Sequence, residues 1–245
     1  MSNTALEIAR TARDVGYRFI SQRLLGRQTA DQVGVKLTLD HPAISDRMFY
    51  VMNRDYESRD ARLAELVLNH ESDVLELGAS CGFMAIYCRK IIGVRNYAMV
   101  EANPALPSLI DQNFRLNGLD PDTTPLIRAA AAGADGQISF TVHRNIWSSS
   151  VVDRGGETIA VPARTLPSII ADLSFAPDTL ILDIEGSELQ IPAEHYALFD
   201  NLVIETHAKL LPDGEERTDR LMSELAALGF KILKREGDSY VMTKR

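Results

Sequence analysis

The chain has 245 residues, 45% of them hydrophobic and 24% charged, a composition that suits one large soluble α/β domain, or one domain with a small appendage. Its net charge of -8 argues against a generic nucleic-acid binder, since affinity for a polyanion rests on a positive surface. With no run of 18 apolar residues and no secretory n-region before an apolar h-region, a soluble, cytoplasmic chain without an integral membrane segment is expected.

Residues 1–57 stand apart as a helical extension or lid. Ala5, Ile8, Ala9, Ala12, Val15 and Phe19 recur at helical spacing and predict one or two helices, with Arg10, Arg13, Arg18, Arg23 and Arg27 on a solvated polar side. Such a helix suits a lid or a homodimer contact; a membrane-surface helix is the alternative.

From residue 58 to 245 a second rhythm takes over. Leu63, Leu66 and Val67 mark a helical face before the apolar run at 74–77, and Met84, Cys88, Ile91 and Ile92 mark the next helix before the run at 97–100. Leu106, Ile110 and Phe114 form a third helix, stopped by Asn117 and Gly118, and runs at 125–129, 179–184 and 201–205 continue the series. This βαβ alternation predicts a parallel sheet covered on both faces. A helix over Leu221, Leu225 and Leu228 then leads to two strands around Glu236, Gly237 and Asp238, which adds an antiparallel strand. Cys81 and Cys88 lie about two helical turns apart, too far to bond, and are expected as reduced thiols.

The stretch D-V-L-E-L-G-A-S-C-G-F at 73–83 is a strand running into a glycine turn and a helix. Gly78 permits a tight turn and close ligand approach, and the helix start near Gly82 offers free N–H groups. Glu101 closes the next strand in A-M-V-E-A-N-P, 23 residues beyond Gly78, where a carboxylate can accept both hydroxyls of an adenosine ribose. Two ligands compete for such a site. A dinucleotide such as NAD(P), used by oxidoreductases, prefers G-x-G-x-x-G for its pyrophosphate, and the spacing from Gly78 to Gly82 lacks it. S-adenosylmethionine has no phosphate and asks less of the turn, with its amino-acid end near Gly78 and Glu76. A non-catalytic adenosine-binding partner protein would keep the same residues. Cys81 reads as a small filler at the helix start, not a nucleophile.

The sequence resembles the FkbM-type S-adenosylmethionine-dependent methyltransferases. The matching pieces are V-L-E-L-G-A-S-C-G-F at 74–83, V-E-A-N-P at 100–104, T-L-P-S-I-I at 165–170, I-L-D-I-E-G-S-E-L at 181–189 and L-V-I-E-T-H at 202–207. R-D-Y-E-S at 54–58 resembles a Tyr-Glu pair ahead of the first strand. The resemblance spans roughly residues 45–207 and implies a Rossmann-like class I methyltransferase: a mostly parallel seven-stranded sheet with an antiparallel carboxyl-terminal strand, acting mostly on hydroxyls of sugars, glycans or polyketide-like small molecules. Cofactor-binding residues are then Tyr56, Glu57, Glu76, Gly78, Ala79, Ser80, Gly82, Glu101, Ala102, Asn103 and Asp183. The sequence departs from the usual D-x-G-A-N-x-G at Glu76 and Ser80, and a lysine usual before the D-x-E-G motif is Ile181 here.

Asp183, Glu185 and Gly186 end an apolar strand, where open α/β sheets hold their ligands. On a continuing strand Asp183 and Glu185 point the same way, and the turn at Gly186 can bring Glu188 close. Clustered carboxylates raise one another's pKa and can accept a proton, so Asp183 is the candidate base or orienter, with Glu185 in support. The same pair could instead hold a divalent cation, or only order the loop. His207, after the following strand, is a second candidate base or a loop-bound histidine; His41, His70, His143 and His195 form no metal pattern. Trp147, Ser148 and Ser149, in R-N-I-W-S-S-S, are candidate acceptor contacts, unless the tryptophan merely pins its loop. Tyr56 and Glu57 could close over the cofactor or simply begin a helix capped by Ser58.

Overall fold

The computed structural model describes residues 3–54, 56–143 and 157–245. Helix α1 (Asn3–Phe19) runs on through a π-turn at Ile20–Leu24, and the chain then folds back as a hairpin of β1 (Thr29–Gln32) and β2 (Val35–Thr38). Val33 and Gly34 make its turn with φ of +46° and +87°, and the Asp31 Oδ1 accepts the Gly34 N–H. Helices α2 (Asp46–Met52), opened by a Ser45 side chain that accepts the Met48 N–H, and α3 (Ser58–Ala64) follow.

The extension therefore holds a hairpin as well as helices, and α1 is turned round from its expected pose. Its polar side faces α2 (Asp46–Met52), because that side has partners there. Asp14 is buried between Arg13 and Arg47, at 2.7 Å and 3.7 Å. Arg18 donates to the Ile44 carbonyl at 2.8 Å and pairs with Asp46. Tyr17 meets Phe49 and Tyr50 edge-on, and the Arg13 guanidinium lies 4.0 Å from the Tyr50 ring centre.

Strand β3 (Asp73–Leu77) is followed by α4 (Phe83–Tyr87), continued as a π-turn at Cys88–Ile92, then β4 (Asn96–Val100), α5 (Pro107–Leu116) and the short β5 (Leu126–Ile127). Strands β6 (Ala130–Ala131), β7 (Gly136–Val142) and β8 (Glu157–Arg164) make a small separate sheet. After α6 (Leu166–Ala171) come β9 (Thr179–Leu182), α7 (Ala193–Tyr196), β10 (Asn201–Glu205), α8 (Gly214–Ala227), β11 (Lys231–Glu236) and β12 (Ser239–Thr243). The main sheet runs β11-β12-β10-β9-β3-β4-β5, and only β12 opposes its neighbours. This is the Rossmann-like, mostly parallel seven-stranded sheet that the sequence predicts.

Alternation sorts the strand residues onto two cores. Val74, Tyr97, Met99, Ile181 and Val203 pack with α4, α5 and the apolar side of the hairpin and α2, including Val35, Leu37 and Phe49. Leu75, Leu77, Val100, Leu180, Leu182 and Ile204 pack on the opposite face against Leu166, Tyr196, Leu221 and Leu225. The carboxyl ends of β3, β4, β9 and β10 consequently open at one edge. That edge carries the residues singled out above.

Candidate functional site

At the end of β3 the chain turns at Gly78, whose φ of +87° suits glycine. A Cβ built there would stand 2.0 Å from the Asp183 carbonyl oxygen, so the glycine loop and the end of β9 are in backbone contact. The Gly78 and Ala79 N–H groups both donate to the Val100 carbonyl, at 2.9 and 3.2 Å, which ties the loop to β4 as well. Ser80 and Gly82 also take left-handed φ, and α4 starts directly after Gly82.

Glu101 organises the far side of this turn. Its carboxylate accepts the Ser80 N–H at 2.8 Å and the Asn103 N–H at 2.7 Å. Burial, offset in part by these bonds, pushes its pKa up to about 7. Asn103 is buried and its side-chain oxygen accepts the Ala105 N–H, while Ala102 packs against the cluster of Phe140 and Val161. Tyr56 reaches the loop from the amino-terminal side, with its hydroxyl 3.3 Å from the Ser80 Oγ and its ring edge-on to Phe83. Cys81 is buried beside it, and burial pushes its thiol pKa well up, which suits a filler.

Between the ends of β3, β9 and β10 lies an open pocket lined by Glu57, Asp60, Glu76, Gly78, Asp183 and Glu205 among others. Glu76 is 4% exposed, and its Oε2 is buried with no hydrogen-bond partner among the described residues. Burial first, and the nearby Glu101 and Asp183, push its pKa up to about 8. The Asp183 side chain keeps 44% of its exposure, yet its Oδ1 is sealed and lacks a well-aligned donor. Burial likewise raises the Asp183 pKa, against the pull of His207.

His207 is held from behind by Glu188, a side chain with no exposure. Glu188 Oε1 accepts the His207 N–H at 2.6 Å and lies 3.2 Å from Nδ1, while Oε2 accepts the Gly186 N–H at 2.9 Å. The ring's Nε2 then stands 3.4 Å from Asp183 Oδ1. Burial disfavours the imidazolium, but the Glu188 bond and the charges of Asp183 and Glu185 outweigh it and lift the pKa to about 9. At neutral pH His207 is therefore a cation beside Asp183.

Glu185 departs from its expected pose. The strand ends at Leu182 and Glu185 takes φ +53°, so the alternation that would align it with Asp183 stops. It contributes charge to the cluster, whereas Glu188 makes the contact with His207. The donor atoms that converge are those of Asp183, Glu205 and His207, all within 4.8 Å of one another. Glu205 is engaged by Arg59 at 3.3 Å, and Arg59 also reaches the Ser239 Oγ at 3.0 Å. Arg59 and Ser239 are residues that sequence reasoning does not single out, while Glu188 is expected only to come close to Asp183 and Glu185. Arg59 had a signal, standing two residues beyond the Tyr56-Glu57 pair; Ser239 had none. Glu57 lines the cavity with φ +51° ahead of α3. Trp147, Ser148 and Ser149 lie outside the described residues.

A family profile described as the methyltransferase FkbM domain matches residues 78–232, from the glycine loop to the penultimate strand. The chain belongs to the FkbM methyltransferase family. No curated protein matches it. Solved structures similar to this family member include a methyltransferase from Pyrococcus furiosus, at 14% identity and a TM-score of 0.49, covering 96% of this chain and 98% of that one. The ribosomal protein L11 methylase from Lactobacillus delbrueckii subsp. bulgaricus matches at 14% identity and 0.47, over 77% and 79%. M. jannaschii TYW2, solved in complex with AdoMet, matches at 12% identity and 0.43, over 87% and 82%.

Proposed function

We propose that this methyltransferase uses S-adenosylmethionine to methylate a hydroxyl oxygen of a sugar, glycan or polyketide-like small molecule. The observation that carries the reading is the pair of sealed, unpartnered carboxylate oxygens, on Glu76 and Asp183, facing one cavity beside the glycine loop. Buried carboxylates without donors call for a cationic or donor-rich ligand. A sulfonium with an ammonium group fits them because it stabilises their ionised form, which the pyrophosphate of a dinucleotide would oppose. The residues present thus fit the group.

On this reading Gly78 lets the ends of β3 and β9 close on one another beside the ligand, Glu101 takes the ribose hydroxyls, and Glu76 with Asp183 takes the side of the positive charge. When bound, S-adenosylmethionine supplies an electrophilic methyl group on sulfur. The acceptor O–H must lie in line with that methyl and lose its proton as the O–C bond forms. Asp183 takes the proton: burial raises its pKa above the ordinary carboxylate range, and its Oδ1 sits beside His207. His207, already protonated, stands 3.4 Å from that oxygen and orients the base through its charge.

Calorimetric titration tests the first half. S-adenosylmethionine should bind, NAD should not, and Glu101→Ala should weaken binding at least tenfold. Asp183→Asn should keep the cofactor and lose turnover by two orders of magnitude or more. NAD binding in place of S-adenosylmethionine would overturn the reading, as would a fully active Asp183→Asn.

A further inference from the structure

We propose that Arg59 is a positioning residue of the reaction: it holds the Glu205 carboxylate, and so leaves Asp183 as the one carboxylate that pairs with His207 and takes the acceptor's proton. This rests on the reading of Asp183 as the base. Two carboxylates, those of Asp183 and Glu205, converge on one imidazole, with an atom of each and of the ring all within 4.8 Å of one another. Nδ1 of the ring is committed to Glu188 at 3.2 Å, so a single N–H remains for two anions. Carboxylates placed like this compete for the ring and for a proton, and the pair then titrates as a unit instead of offering one defined base. A second cation removes the competition.

Arg59 is placed to be that cation. Its helix, α3, is seated by the buried Ser58 and Ala61, and its guanidinium reaches across to β10 and β12. Nη2 stands 3.3 Å from Glu205 Oε1, 3.0 Å from Ser239 Oγ and 3.5 Å from Asp60 Oδ1. Ser239 Oγ in turn donates to Asp60 Oδ1 at 2.9 Å, and Nη1 lies 3.6 Å from where a Gly237 Cβ would stand. The flat fork is therefore held along its length, a fit that the single ammonium of a lysine does not reproduce. The other charges around the pair are acidic. Glu205 faces Asp60 and Glu185, while Asp183 faces Glu57, Glu76, Glu185 and Glu188. Arg59 pairs with Glu205 and Asp60 and not with Asp183, so its effect on Asp183 must pass through Glu205.

NMR titration of the full chain, isotope-labelled at its aspartate and glutamate carboxyl carbons, tests this without any acceptor. Arg59→Gln should raise the Glu205 pKa by about one unit or more, and Asp183 should then titrate in two steps. Adding Glu205→Gln should restore a single Asp183 step. A merely structural tie would not give that rescue, because the double variant lacks the tie altogether. Arg59→Lys, which keeps the charge and loses the fork, should move Glu205 the same way by less, and serves if the first variant does not fold. A Glu205 titration unmoved by either substitution overturns the proposal. So does an Asp183 titration that the loss of Arg59 alters equally with and without Glu205. A fully active Asp183→Asn would overturn instead the reading beneath it, an outcome that these titrations do not share.

Discussion

Glu188 shows how one buried carboxylate can set the state of the histidine beside Asp183. It accepts from two backbone N–H groups and from the His207 ring without touching the cavity lining. A charge-assisted bond of this kind holds the imidazolium and fixes which nitrogen points at Asp183. Glu188→Gln keeps the shape and removes the charge. The His207 pKa, read by NMR titration of its ring protons, is expected to fall from about 9 toward its ordinary 6.5. The amide left among backbone donors should cost about 1–3 kcal/mol in denaturant unfolding. A His207 pKa still near 9 in that variant would assign the shift to Asp183 and Glu185 instead. The sequence places Glu188 within D-I-E-G-S-E, so the acidic cluster is legible there. The choice between Glu185 and Glu188 is not, because it depends on the left-handed φ at Glu185, which no strand pattern reveals.

The elements that form the site meet through their backbones, and Gly78 is where that closeness is greatest. Its Cβ position lies 2.0 Å from the Asp183 carbonyl, so Gly78→Ala must push apart the ends of β3 and β9 and move Asp183 with them. Loss of S-adenosylmethionine binding together with a fall in thermal midpoint is the expected outcome. Gly93→Ala is the control: φ is +77° but nothing lies within 4 Å, so only the strain of about 1–2 kcal/mol should appear, with binding intact. If the two variants behave alike, the contact with Asp183 is not what Gly78 protects. At this scale the sequence is most informative where an element is buried on both sides. The β3, β4, β9 and β10 runs are uninterrupted, and the hairpin at the carboxyl terminus has its turn residues. The β1–β2 hairpin escapes notice because its strands are four residues long and β1 reads T-A-D-Q, with too few apolar positions to show alternation. The α1 periodicity is legible, but not which side docks: an amphipathic pattern predicts burial of the apolar face, and local pairing with Asp46 and Tyr50 reverses it.

Across the whole molecule, the site's ionisable groups act on stability in one direction. Glu76 and Glu101 have pKa values of about 8 and about 7 in the fold against an ordinary 4.5, and His207 has about 9 against 6.5. Each holds its proton longer folded than unfolded, so the unfolded chain binds fewer protons and stability falls as pH rises. The Glu76 and Glu101 contributions are fully present below about 4.5 and are lost through about 8 and about 7; that of His207 is fully present below 6.5 and is lost through about 9. Without ligand, the thermal midpoint should therefore decline steadily from pH 6 to pH 9. A cationic ligand reverses the balance, because it favours ionised Glu76 and its binding expels the proton. Saturating S-adenosylmethionine should thus raise the midpoint more at pH 8.5 than at pH 6, with proton release measurable by calorimetry in buffers of different ionisation enthalpy. Glu76→Gln should flatten the ligand-free decline and weaken the cofactor most at high pH. A ligand-free midpoint that rises between pH 6 and 9 would mean that these carboxylates are already ionised in the fold, and that something other than the cofactor pairs with them.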